Sequence, residues 1–189
     1  MRKSRWEAAR TRKRIIETAA QEFRRNGIAQ TGLADLMAAA GLTHGGFYRH
    51  FESKDQLVAE ACAAALDSNA RTAAIALSQQ GKGNGFKAFV ANYLSTDHRD
   101  DQSEGCALAA LGSELVRADE TTREMATAGV LKLVDSIAAQ FEGVRADIAK
   151  RRALVALSTL VGALTLARIV TDPELSTVLL REAAKQVAA

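Results

Sequence analysis

The sequence predicts an all-α protein, and three observations carry that prediction. Among its 189 residues there is one proline, Pro173, while alanine is abundant. Apolar residues recur at helical spacing, as in Ile16, Ala19, Ala20 and Phe23, which fall at i, i+3, i+4 and i+7. Strand-forming runs are scarce. With 48% apolar and 25% charged residues the composition is that of an ordinary globular chain, long enough to bury a core without disulfides or a metal.

Nine helices follow in order. The first runs from about Glu7 to Arg25, and Gly27 suits a left-handed C-cap behind it. Thr31 or Gly32 caps the second, Leu33 to Ala40, with Asp35 complementing its positive end. Gly41-Leu42-Thr43 is a tight turn, and Thr43 caps a short third helix, His44 to Phe51. Ser53 caps a fourth from Lys54 to about Gln80, which Gly81-Lys82-Gly83-Asn84-Gly85 ends. Phe86 to Ser95 is a fifth helix, and the polar stretch Asp97 to Gly105 reads as a mobile loop. Cys106 to about Arg117 is the sixth, and Asp119 caps a seventh reaching Phe141. The eighth, about Arg145 to Val170, is apolar nearly all round, so it demands partners on both sides. Asp172 caps the ninth with Pro173 in its first turn, and Leu175, Val178, Leu179, Ala183 and Val187 make its stripe.

Charge is unevenly placed. Residues 1–52 carry ten Lys/Arg against five Asp/Glu, and the remainder fifteen against seventeen, so the head is +5 and the body −2. A basic head on a near-neutral body calls for a polyanionic partner at the head. Met1-Arg2-Lys3-Ser4-Arg5 is followed by no apolar core of a secretory signal, and the apolar run Ala153–Ala167 is short for a membrane span. The expectation is a cytoplasmic protein with no membrane partner, free thiols at Cys62 and Cys106, and no cofactor.

Function concentrates in residues 41–57, GLTHGGFYRHFESKDQL. A helix, a short turn containing Gly and a second short helix form the helix-turn-helix pattern, expected here over about 32–51, whose second helix enters the major groove of double-stranded DNA. His44 and Arg49 can bond bases or phosphates. Tyr48, His50, Lys54, Thr31, Thr43 and Ser53 can bond phosphates. Phe47 and Phe51, four residues apart, anchor the helix in the core.

Residues 10–57 resemble the N-terminal domain of the TetR family of transcriptional regulators. The matching residues are Arg14-Ile15-Ile16, Ala19, Phe23, Gly27, Thr31, Leu33, Leu36, Ala40-Gly41-Leu42-Thr43, Gly45, Phe47-Tyr48, His50-Phe51, Ser53-Lys54 and Leu57. The resemblance implies an all-α homodimer that binds a palindromic operator and usually represses. It places the DNA-binding domain at 1–53 and a ligand-binding and dimerisation domain at 54–189. Thr43, His44, Gly46, Tyr48, Arg49, His50 and Lys54 match family positions that meet DNA. Met37 stands where the family usually has a small residue, and Gly46 where Thr, Ala or Ser is common.

The resemblance also implies an apolar effector pocket within the body and a dimer formed by the last two helices. Phe86, Phe89, Tyr93, Leu108, Leu111, Leu115, Met125, Leu133, Leu160 and Leu164 are the apolar candidates for its wall. Cys106 and Arg168 are the polar candidates for the same wall: Cys106 opens a helix after a polar loop, where a thiolate is favoured, with Arg168 a nearby cation. The effector is then a small apolar or electrophilic molecule. The alternatives are a helical enzyme, or a general nucleic-acid binder with a basic head. His44, His50 and His98 lie at no metal-ligand spacing, and no Gly-rich phosphate loop or catalytic set is present.

Overall fold

The computed structural model describes residues 5–78 and 84–188, so positions 81–83 of the expected breaker 81–85 lie outside them, while Asn84 and Gly85 open a helix. The described residues form ten helical elements and no strand. In chain order these are α1 (Arg5–Asn26), α2 (Leu33–Ala39), a 3₁₀ helix η1 (His44–Arg49), α3 (Lys54–Ser78), α4 (Asn84–Tyr93), α5 (Thr96–Asp100), α6 (Ala107–Leu115), α7 (Glu120–Ala138), α8 (Ala146–Ile169) and α9 (Pro173–Ala188). Two departures from expectation stand out. The third helix is 3₁₀ rather than α, in keeping with two helix-disfavouring glycines in six residues. The polar stretch after Ser95 is partly helical, because the Ser95 hydroxyl accepts the His98 N–H and caps α5.

Local chemistry accounts for most boundaries. Gly27 (φ +84°) and Gly41 (φ +68°) adopt left-handed backbone at the ends of α1 and α2. The N–H groups of Gly41 and Leu42 return to the carbonyls of Ala38 and Met37. The Asp119 carboxylate accepts the Thr122 N–H, and Asp172 accepts from Glu174 and Leu175. At the second helix the cap is Gly32, with no side-chain bond.

Two apolar cores share α3. The first gathers Ile15, Ala19, Ala20, Phe23, Leu36, Met37, Phe47 and Phe51 around the N-terminal half of α3, together with Leu111 and Leu115 of α6. Ile15, not the expected Ile16, joins Ala19 and Phe23 as a fully buried residue of α1. The second core joins the C-terminal half of α3 to α4, α7, α8 and α9. Among the described residues, α8 is the one helix long and apolar enough to cross a membrane by length and composition. Here Ala153, Leu157, Leu160 and Leu164 bury its inner side. The inward side of α9 is Ser176, Leu180, Ala183, Ala184 and Val187, whereas the expected Leu175 and Val178 point outward.

The α3–α7 contact is tight enough to require a glycine. A Cβ on Gly129 would lie 2.6 Å from the Cβ of Leu66. Gly129→Ala is therefore expected to destabilise by about 1–3 kcal/mol, and thermal denaturation of purified protein checks it. An unchanged melting temperature would show that the two helices can separate freely.

Candidate nucleic-acid interface and interior cavity

The turn and 3₁₀ helix place the expected contact residues on one exposed edge. Thr43, His44, Gly45, Tyr48 and Arg49 are exposed, and Gly46 and His50 are half-buried. Tyr48 is 67% exposed although its neighbour Phe47 is fully buried, so the phenol is presented to solvent and not used as core. Phe47 stacks on Phe51 with ring centroids 5.4 Å apart and meets Tyr48 edge-on at 5.2 Å. The backbone after α1 and this helix are tied down by cations that the charge pattern alone did not single out. Arg12 donates to the His50 carbonyl and to Glu60, and lies over the Phe51 ring at 4.5 Å. Elsewhere along α1, Arg5, Arg10 and Arg14 remain exposed, with Arg10 over the Trp6 ring.

Two expected phosphate ligands are otherwise engaged. Thr31 is buried and its hydroxyl donates to the Gly27 carbonyl, so it holds the turn after α1. The Lys54 ammonium donates to the carbonyls of Ile28 and Thr31 and clasps α3 to the same turn. Thr43 occupies the N-cap position, but its side chain makes no cap bond.

Neither glycine of the short helix is required by backbone conformation, since neither has positive φ. A Cβ on Gly45 would meet nothing within 4 Å. One on Gly46 would lie 3.8 Å from the Met37 Cε and 3.7 Å from the Thr43 hydroxyl, ordinary contact distances. Met37 thus fills space beside a position that has no side chain.

In the body, a cavity of about 470 Å³ opens between α3, α4, α5, the turn before α6, and the inner faces of α7 and α8. Phe89, Tyr93, Cys106 and Leu133 line it as expected; Leu157 adds to its apolar part. The wall is less apolar than expected. Asn69, Asn92, Asp97, Asp101 and Glu104 also line it, and their scattered positions gave no periodic signal. Several expected wall residues lie elsewhere because apolar side chains at helical spacing serve packing first. Leu111 and Leu115 pack under the N-terminal head, Leu160 and Leu164 are fully buried in the second core, and Met125 is half-buried on α7. Phe86 packs edge-on against Phe141 beside a separate cavity. Arg168 stands behind the wall, its guanidinium donating to the carbonyls of His98, Arg99 and Asp101.

One end of the cavity is a cluster of titratable groups. Cys106 is the N-cap of α6 and only 3% exposed, and its N–H donates to the His98 ring. Burial raises the Tyr93 phenol well above its usual range, and the adjacent Cys106 thiol adds to this. The Tyr93 hydroxyl is buried beside the Cys106 thiol and has no oxygen or nitrogen partner among the described residues. Burial likewise lowers His98, while its bond to the Tyr93 carbonyl opposes the shift. Among the described residues no group of three His, Cys, Asp or Glu could hold a metal ion.

Between cavity and head, the contacts are polar and built. Arg24 of α1, 7% exposed, donates to the Ser103 carbonyl at 2.6 Å. Burial lowers its guanidinium and Glu104 counteracts this. On α6, the Glu114 carboxylate accepts the N–H groups of Ile28 and Ala29 at 3.1 and 2.9 Å. An acidic helix residue reaching a backbone turn 85 positions earlier left no trace in the sequence pattern.

Two family models match the chain. Residues 15–61 match that for bacterial regulatory proteins of the tetR family, and residues 83–186 match the C-terminal domain of LmrA/YxaF-like transcriptional regulators. The chain belongs to the TetR family. An uncharacterized HTH-type transcriptional regulator of Mycobacterium tuberculosis, MT0206, is 30% identical over 175 residues, 85% of this chain and 86% of that protein. The regulator TtgR of Pseudomonas putida is 45% identical over 58 residues, 31% of this chain and 28% of that protein's length. Among solved structures, a TetR regulator from Chloroflexus aurantiacus shares 29% identity with a TM-score of 0.78, covering 96% of this chain and 94% of that one. Escherichia coli NemR in its reduced form, at 21% identity, shares the fold with a TM-score of 0.80 and 94% coverage of both chains. The match to the tetR model runs from within α1 to the first turns of α3 and includes the exposed edge.

Gly46→Ala should raise stability by about 0.5–1 kcal/mol, because it removes unfolded-state freedom and meets no clash. Gly41→Ala should lose about 1–2 kcal/mol to its left-handed backbone. Denaturant titration of both variants checks the pair, and the same sign for both would contradict these assignments.

Proposed function

We propose that this chain is a ligand-responsive transcriptional repressor that binds a palindromic DNA operator as a homodimer and releases it when a small molecule enters the cavity. The exposed edge carrying Thr43, His44, Gly46, Tyr48, Arg49 and His50 is the reading surface, with backbone N–H groups at helix starts contributing phosphate contacts. Residues 1–53 act as the head and 54–189 as the body, working in the cytoplasm where the operator lies. The single observation that carries the reading is the 67% exposure of Tyr48 between the buried anchors Phe47 and Phe51, within an exposed cationic edge.

Homodimerisation is supported by an unpartnered face. Val155, Leu166 and Ile169 of α8 and Leu175 and Val178 of α9 are exposed, and a Cβ on Gly162 would meet nothing within 4 Å. An apolar face of this kind on two neighbouring helices suits a second copy of the chain. A two-fold dimer presents two heads to half-sites about one helical turn apart, about 34–36 Å.

The cavity supports effector control. Its wall combines aromatic side chains with amides and carboxylates, which suits a small organic molecule with some polar groups. Its turn touches α1 through Arg24, so a ligand that moves the turn moves the head. One further observation favours an electrophilic effector: the Cys106 thiol lines the cavity. An α,β-unsaturated carbonyl would add there, the sulfur forming a bond to the β-carbon, the carbon–carbon π bond breaking and the thiol proton ending on the α-carbon.

A footprint on DNA flanking the chain's own gene tests the main reading. At raised salt the protein should prefer the footprinted duplex to random DNA by about 10³, and Arg49→Ala should weaken binding by about 1–3 kcal/mol. Equal affinity for both duplexes would leave a general polyanion binder. Loss of binding on treatment with N-ethylmaleimide in wild type but not in Cys106→Ser would support the covalent branch, and an equal response of both would end it.

A further inference from the structure

His98 joins elements that otherwise meet only weakly. From α5, its Nδ1 lies 2.6 Å from the Tyr93 carbonyl at the end of α4, and its Nε2 accepts the Cys106 N–H at 3.0 Å at the start of α6. A neutral ring with its proton on Nδ1 satisfies both bonds. An imidazolium cannot, because Nε2 would then carry a hydrogen facing the hydrogen of Cys106. The fit around the ring is close. A Cβ on Gly105 would lie 2.7 Å from the Asp101 carbonyl oxygen, 2.9 Å from the Arg168 guanidinium and 3.2 Å from the His98 ring.

The turn spanning 101–106 has two faces. One lines the cavity with Asp101, Glu104 and Cys106. The other grips the head: Arg24 donates to the Ser103 carbonyl at 2.6 Å, and Gln21 donates to Glu104 at 2.5 Å. We infer that His98 is a positioning residue that holds this turn, and through it α1 and the DNA-reading edge, only while its ring is neutral, so that acidification loosens operator binding. The inference rests on the function proposed above and adds a proton to the inputs of the cavity.

The groups facing His98 are Tyr93 from α4, Asp101 in the turn, Cys106 from α6 and Arg168 from α8, with Asp97 and Arg99 beside it on α5. Burial lowers the ring's affinity for a proton from the ordinary 6.5; the bond to the Tyr93 carbonyl raises it, Arg168 lowers it and Asp101 raises it, with a net lowering. A lowered folded value means that the unfolded chain binds the proton first. The ring's contribution to stability is thus complete above pH 6.5 and is lost as pH falls through the lower folded value.

The test compares wild type with His98→Gln, whose amide oxygen can accept the Cys106 N–H and does not titrate. Both are titrated by fluorescence anisotropy against the labelled footprinted duplex from pH 8 to pH 5. The exposed edge is the same in both proteins, so its own pH response cancels in the ratio of dissociation constants. That ratio should be near one at pH 8 and rise as pH falls, reaching about fivefold by pH 5.5 and never exceeding the tenfold per pH unit of a single proton. A flat ratio in proteins that bind overturns the inference alone, whereas a wild type that binds no duplex selectively at pH 8 overturns the proposed function with it. Should the Gln variant fail to fold, ring NMR of free wild type decides: a neutral Nδ1–H ring titrating below 6.5 supports the inference, and a ring already charged at pH 6.5 overturns it.

Discussion

The packing of α7 onto α3 is the constraint on which the rest of the molecule depends. α3 is 25 residues long and buries Leu57, Val58, Ala61, Cys62, Ala65 and Leu66 in the first core, then Ala70, Ala73 and Leu77 in the second. Small residues along it let neighbours come close, and Gly129 of α7 sits directly on Leu66. The burial of Cys62 in the first core pushes its thiol up to about 11, so it stays an inert filler. Because one rigid helix runs through both cores, the head and the body are not separate beads. The cavity stands off the C-terminal half of the same helix whose first turn clasps the head.

The reading edge shows how two irregularities resolve each other. A large Met37 in the second helix and a missing side chain at Gly46 each look like a local misfit against the family pattern. In the fold they face one another, the Met37 Cε standing within ordinary contact distance of where a Cβ on residue 46 would lie. The glycines leave a 3₁₀ helix of weak intrinsic stability. Its geometry is held by Phe47 and Phe51 below and by Arg12 at its end. Rigidity at the edge therefore comes from tertiary anchors and not from helix propensity.

Between the two ends of α3, polar contacts provide the linkage. Apolar packing is tolerant of small displacements, but Arg24 on the Ser103 carbonyl and Glu114 on two backbone N–H groups are directional. They join the 101–106 turn and α6 to the end of α1. That a buried arginine keeps its charge here depends on the carbonyl and on Glu104 offsetting its desolvation.

By itself the sequence determined the helical class, the helix-turn-helix and its anchors, and the order of nine of the ten described helical elements to within a few residues, α5 falling in a stretch expected as a loop. These follow from local spacing, caps and glycine positions, which short-range physics controls. It also determined that the basic residues cluster at the head. What only the tertiary structure decided is which face each side chain serves. Thr31 and Lys54 turned to backbone carbonyls, Leu160 and Leu164 went to core, and Arg168 moved behind a wall it was expected to line. The apolar stripe of α9 divided into an inner side and an outward one. Periodicity reports that a residue lies on an apolar face, but not whether that face meets core, cavity or a second chain. That distinction depends on partners as far apart in sequence as Lys54 and Ile28 or Arg168 and His98, and no local pattern encodes it.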